Sequence, residues 1–247
     1  MLLFFTIILM LVCFDVSAGK LKILIVTGGH DFDRVSFFQM FDSFNNMTYK
    51  ELVQPAAKEE LKAMDLNSFD AVVFYDMPKT ITEKEQNSYY RLLDAGKGLL
   101  FLHHSICAYQ DWPEYESIVG GKYYEKKKDD KFGASSYQHD VDFKVQMVHP
   151  SHAVTKGMKD FEIHDEVYGN LEVIPKVYPL LSTNETKSNI LIGWTLNNGN
   201  SKIVYIQPGH DKNSFTNPNY RQLIWQAISY ITSGSSGNSS LKHQLVR

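Results

Sequence analysis

Residues 22–30 read KILIVTGGH, the branched aliphatic side chains Ile23 to Val26 between Lys22 and Thr27, closed by Gly28, Gly29 and His30. An apolar run of this length without polar alternation is a strand covered on both faces, and the glycine pair marks the turn that ends it. Such a strand belongs inside a parallel sheet, which requires a helical crossover next. The following segment fits: from Arg34 to Phe44, Val35, Phe38 and Phe41 recur at helical spacing, with Phe37 and Met40 widening the stripe.

The alternation continues. Tyr49 to Val53 predicts a second strand, and Pro55 opens a helix through about Met64. Asp70 to Tyr75 (DAVVFY) is a third buried strand. Thr82 with Glu85 forms a capping-box signature for a helix with Tyr89, Leu92 and Leu93 on its apolar face, stopped by Gly96. Gly98 to Leu102 (GLLFL) is the fourth strand. Strands alternating with helices predict an α/β protein with right-handed crossovers, whose mainly parallel sheet carries helices on both faces.

From about Ala108 to Glu172 the pattern is less regular. Trp112-Pro113 begins a short helix ending at Gly120-Gly121, Lys126 to Lys131 reads as a solvated loop, and Val141 to Val148 alternates as a strand. Strands follow at Val177 to Leu181, Asn189 to Thr195 and Lys202 to Ile206, the last two joined by a turn at Asn197-Asn198-Gly199-Asn200. Pro218 to Ile231 is a closing amphipathic helix, and the residues from Ser233 onward read as a flexible tail.

The chain has 247 residues, 43% of them apolar, enough for one large domain with a substantial core. Basic and acidic residues nearly cancel at 25 against 28, so no broad field draws the protein to nucleic acid or to an anionic membrane. Leu2 to Phe14 is too short an apolar run to span a bilayer but suits a signal-peptide core, and Val16-Ser17-Ala18 supplies a cleavage pattern. The expected organisation is a signal peptide at 1–18, one domain at 19–232 and a tail at 233–247. Export to a periplasm or the exterior follows, with no stable membrane partner after cleavage. An uncleaved anchor is the alternative, since no lysine or arginine precedes the run; a lipid anchor on Cys13 is disfavoured by the bulky Val12. Cys107 is then the one cysteine of the mature chain, which leaves no intrachain disulfide. Sequons at Asn46, Asn184 and Asn238 do not decide the compartment.

In an open parallel sheet, side chains just past the carboxyl ends of the strands share one crevice, where ligands bind. His30 follows the first strand, Asp76 the third, His103 and His104 the fourth, and His210 the last, so four of nine histidines fall on one edge. Adjacent residues at a strand end point apart, so one of His103 and His104 should face the crevice, and His103 is the choice. Asp31 and Asp33 after the glycine pair would repel phosphate, and G-x-G-x-x-G is absent, so no nucleotide is expected. Asp165 and Glu166 in HDEVY supply carboxylates for acid–base work or metal ligation, or else are loop acids capping a turn. Neither H-E-x-x-H nor a cysteine-based zinc pattern occurs. Ser105 and Cys107 lack a nucleophile elbow of the G-x-S-x-G kind.

Together the segments ILIVTGGHDF, GKGLLFLHHS, HPSHAVTKGM followed by HDEVYG, and IVYIQPGHD resemble the ThuA-like (trehalose-utilisation) family, over about Lys20 to Thr232. The resemblance implies a flavodoxin-like fold of the class I glutamine amidotransferase-like group. That group places a cysteine nucleophile after a central strand, where this chain has His103-His104, so glutamine hydrolysis through a thiolate is not expected. What it implies instead is a role in carbohydrate metabolism, with a divalent metal such as zinc. The sequence therefore predicts an enzyme acting on a sugar or keto-sugar. His30, His103, His210, Asp165 and Glu166 would be its catalytic groups, with His30, His103 and His210 as metal ligands. Asp31, His104, Trp112 and Tyr168 would contact the substrate, with Tyr123 and Tyr124 as further stacking surfaces. A carbohydrate-binding domain without turnover is the alternative.

Overall fold

A computed structural model describes residues 19–130 and 132–234. The expected signal peptide with Cys13, the last member of the Lys126–Lys131 run, the Asn238 sequon and all but the start of the expected tail lie outside the described residues. No helix among the described residues is long and apolar enough to cross a membrane.

The chain runs β1 (Leu21–Gly28), α1 (Arg34–Asp42), β2 (Met47–Val53), α2 (Ala56–Ala63), β3 (Ala71–Asp76), α3 (Glu83–Asp94) and β4 (Gly98–Leu102), then a 3-10 turn at His103–Cys107. Next come α4 (Glu114–Val119), β5 (Gly121–Lys122), β6 (Ser136–Met147), β7 (Phe161–Gly169), β8 (Glu172–Val173), β9 (Tyr178–Ser182), β10 (Leu191–Asn198), β11 (Ser201–Ile206), α5 (Lys212–Thr216) and α6 (Pro218–Thr232). Nine strands form one sheet in the order β2-β1-β3-β4-β11-β10-β9-β6-β7. The first five are parallel. From β11 onward each neighbour is antiparallel.

Strand alternation divides the core between the two faces. Ile23, Ile25, Val73, Tyr75, Leu100, Leu102, Val204 and Ile206 point towards α1, α5 and α6. Leu24, Val26, Val72, Phe74, Leu99, Phe101, Ile203 and Tyr205 point towards α2, α3 and α4. Because both faces are covered, the central strands read as unbroken apolar runs rather than alternating ones. The capping box forms as the sequence suggests, Thr82 and Glu85 bonding reciprocally at the start of α3.

Two expectations need correction. Helical spacing puts Val35 on the buried stripe of α1, but it is exposed, and Phe37, Met40 and Phe41 turn inward. Five apolar residues in seven positions cannot all face the core of a short helix, and three on one face suffice. The second correction concerns residues 161–169, which read as irregular, with loop acids as the alternative to a catalytic role for Asp165 and Glu166. They form β7, whose Phe161, Ile163 and Val167 face the core. Asp165 occupies the remaining core-facing position in that alternation, and a carboxylate there hides the strand pattern.

Candidate functional site

The crevice begins at the end of β4. His103 adopts φ 49°, a left-handed backbone that costs a non-glycine residue energy. The sharp strand-to-helix turn exists here, therefore, without its sequence signature and with a histidine in place of a nucleophile. His103 is fully buried. Its Nδ1 lies 2.7 Å from the Gln207 carbonyl, which can only accept, so Nδ1 carries the hydrogen. Nε2 is left to face Glu166 Oε2 at 2.9 Å, the Tyr168 hydroxyl at 3.0 Å and His210 Nδ1 at 3.3 Å. His210 Nδ1 in turn lies 3.1 Å from the same Glu166 oxygen. One nitrogen from each histidine and one carboxylate oxygen thus converge, all within 4.8 Å of one another.

Asp165 holds this arrangement without entering it. One of its oxygens accepts from the backbone N–H of Glu166 (2.8 Å) and of His210 (2.9 Å), the other from the Gly209 N–H (2.6 Å) and the Ser214 hydroxyl (2.5 Å). Four donors satisfy the buried carboxylate and tie the loop after β11 to β7. Gly209 is obligatory there: its φ is 131°, and a Cβ would collide with the Tyr220 hydroxyl.

The charges follow the contacts. Burial opposes ionisation of Glu166, but the close contacts with His103 and His210 outweigh it and hold its carboxyl well below the usual carboxylate range. The hydrogen bond to Glu166 raises His210 above 6.5. His104, next door, is driven well below 6.5 by burial and by the neighbouring His103 and His30. Its Nε2 is buried without a partner. Burial likewise pushes the Cys107 thiol up, so it does not supply a thiolate. Ser105 is wholly buried and its hydroxyl has no hydrogen-bond partner. Ser105 is therefore not presented as a nucleophile, and Cys107, although it lines the neighbouring cavity, stays a thiol.

Above this cluster opens a cavity of about 410 Å³, in the range of small-molecule sites, lined among others by His30, His104, His139, Glu166 and Tyr168. His30 is exposed and stacks on His104 with ring centres 4.9 Å apart, in the cavity wall but outside the His103–Glu166–His210 cluster. The three-histidine set inferred from the sequence is therefore not what converges; Glu166 takes the place given to His30. Asp31 is exposed, and its carbonyl contacts the His30 ring. Trp112, expected to stack on a ligand, is 1% exposed and packs among Tyr89, Tyr109 and Tyr115 in the core. Tyr124 bonds Glu116 and Glu172 away from the cavity, whereas Tyr123 lines it.

His139 is a site residue that sequence reasoning missed. It lies on β6, with Nδ1 3.6 Å from Glu166 Oε1 and its ring 4.8 Å from that of His210. The alternation that announces the strand starts at Val141, and a shift of register between Gln138 and Val141 breaks the pattern that would have extended it to His139.

The ThuA family profile, described as trehalose utilisation, matches residues 22–231. None of the curated proteins is significantly similar. Among solved structures, a ThuA-like protein from Parabacteroides merdae superposes with a TM-score of 0.74 at 17% identity, covering 87% of this chain and 91% of that one. A ThuA-like protein from Bacteroides uniformis gives 0.64 at 17% identity, with 87% and 92% covered. A Thermoplasma acidophilum protein assigned to GMP synthase gives 0.54 at 15% identity, with 87% and 96% covered. At such identities these structures speak for the fold alone, which is that of the class I glutamine amidotransferase-like group. With the profile spanning nearly all of the described residues, the chain belongs to the ThuA, or trehalose utilisation, family.

Proposed function

We propose that this protein is an exported carbohydrate-processing enzyme that acts on a sugar or keto-sugar, with His103, His210 and Glu166 holding a divalent metal such as zinc. The observation that carries the reading is the convergence of three electron-pair donors. The Gln207 carbonyl fixes the hydrogen on His103 Nδ1, so His103 Nε2, His210 Nδ1 and Glu166 Oε2 all aim lone pairs at one another unless protons or a cation lie between them. Two imidazoles and one carboxylate suit zinc, and the carbonyl behind His103 is the kind of partner that orients a ligating histidine. A bound ion would polarise a carbonyl or hydroxyl oxygen of the ligand as a Lewis acid.

The chain's own groups define the rest. Asp165 holds His210 in place through its backbone N–H. The Tyr168 hydroxyl bonds His103 and Glu166. His139, with its side chain half exposed against the other oxygen of Glu166, is placed to exchange a proton with a ligand in the cavity. The export part of the proposal rests on the Leu2–Phe14 run and Val16-Ser17-Ala18.

Elemental analysis of zinc-loaded protein tests the metal. The expected result is one ion per chain, lost in a His103→Ala/His210→Ala double variant. A wild-type protein that takes up no stoichiometric ion yet converts trehalose or its keto derivative would refute it. If sugars bind but are not turned over, and the histidine variants bind them as well as the wild type does, the protein is a binding domain and the enzymatic reading falls.

A further inference from the structure

The strand β6 changes phase in front of the cavity. Gln138 pairs with Val167 and Val141 with Asp165, so three steps along β6 oppose two along β7: a β-bulge with one extra residue at His139–Asp140. Asp140 has φ 55°, a left-handed conformation that one class of such insertions uses. The consequence is specific. Beyond the bulge the odd-numbered Val141, Phe143 and Val145 face the core. Before it the odd-numbered Tyr137 stands opposite Tyr168, on the face of Glu166 and Tyr168, and both Tyr137 and His139 line the cavity. An unbroken strand would have placed all five on one face.

Tyr137 is 60% exposed, although it is a large aromatic residue at the mouth of a polar cavity. Its ring meets that of His139 at 5.3 Å and 70°, edge against face, which leaves aromatic surface open to the cavity. The polar lining around it is rich in acceptors: the carboxylates of Glu125 and Glu166 and the unpartnered, buried Nε2 of His104. Among the described residues lining the cavity there is no lysine or arginine, and the nearby Lys79 is paired with Glu125.

We propose that the bulge at His139–Asp140 builds a subsite for an uncharged pyranose ring, which lies on Tyr137 and donates its hydroxyls to Glu166 and His104. The inference rests on reading the cavity as a carbohydrate site and narrows it to unphosphorylated sugars. A ring with axial C–H groups on one face and hydroxyls at its rim matches an exposed aromatic face beside acceptors. Away from the proposed ion, a phosphate on the ring would meet carboxylates in a lining without lysine or arginine, Lys79 being already paired with Glu125.

Saturation-transfer NMR and calorimetry on the purified full chain, with trehalose and glucose against trehalose 6-phosphate and glucose 6-phosphate, test the subsite. The neutral sugars should receive saturation at ring C–H protons and bind at least about tenfold more tightly than their phosphates. Tyr137→Ala should weaken binding by about tenfold or more, while Tyr137→Trp retains it. Deleting Asp140, which restores the alternation and withdraws Tyr137 and His139, should abolish binding in a variant that still unfolds cooperatively. Phosphates that bind as tightly as the parent sugars, or a Tyr137→Ala affinity within about twofold of wild type, would overturn the subsite while leaving a carbohydrate site standing. Absence of binding by every one of these sugars would overturn both.

Discussion

Replacing Asp76 by asparagine should stabilise the protein at neutral and alkaline pH and leave its stability almost unchanged near pH 4. Asp76 ends β3, beside the cavity-lining Met77, and is fully buried. One oxygen accepts from Gln54 Nε2 at 2.7 Å; its other oxygen and the Gln54 Oε1 are buried without partners. Lys58 is the cation that favours the charge, and the phenols of Tyr89, Tyr109 and Tyr115 sense it from the surrounding core. Burial dominates and pushes the carboxyl from 3.8 up to about 7. A folded-state pKa above the unfolded one means that the neutral acid is favoured by folding. Its contribution is complete below about pH 4, declines as pH rises towards 7 and is gone above that. At about 1.36 kcal/mol for each tenfold change in proton affinity, the loss is at most about 4 kcal/mol. Asparagine keeps the Gln54 contact and never ionises. Urea unfolding of both proteins between about pH 4 and about pH 9 reads the difference. The variant should gain on the wild type with rising pH until about pH 7 and then hold its lead. A gap that does not change with pH, or a variant that is less stable above pH 7, would refute the reasoning.

Asp165→Asn puts an N–H₂ where two donors now converge, so about 1–3 kcal/mol should be lost by chemical unfolding, together with most of the zinc affinity as His210 is released; unchanged affinity would contradict its positioning role. Because Glu166 keeps His210 protonated above its ordinary 6.5, zinc must displace that proton, and affinity measured by chelator competition should fall as pH drops through and below neutrality. A flat profile would exclude His210 as a ligand. The Cys107 thiol, 5% exposed and pushed up by burial, should resist iodoacetamide in native protein at neutral pH and react on unfolding, as mass spectrometry would show. N-terminal sequencing of secreted protein should begin at Gly19; retention of Met1 would favour the uncleaved anchor.

The parallel half of the sheet is legible in the sequence because its strands are buried on both faces and its helices carry ordinary caps, so local composition states the architecture. The site is legible in part. His103, His210 and Glu166 stand out from their places beside strand ends and in HDEVY. Their convergence could not be read, because the three lie on segments 44 to 107 residues apart that only the pairing of β7 and the return of β11 bring within hydrogen-bond reach. His30 groups with them by the rule that strand ends share a crevice, which gives an edge and not a distance.

Sequence alone determined the α/β class, the family and the residue types at the crevice, since these follow from periodicity and from motifs short enough to be local. The tertiary structure decided which residues meet. Asp165 reads as a catalytic carboxylate or a loop acid until the backbone of another segment supplies donors to it; Trp112 reads as a ligand platform until three tyrosines enclose it. A single extra residue in β6 moves Tyr137 and His139 from the core face to the cavity. That choice is made by strand pairing, where inserting one residue reverses the facing of all that follow it, and no composition records it.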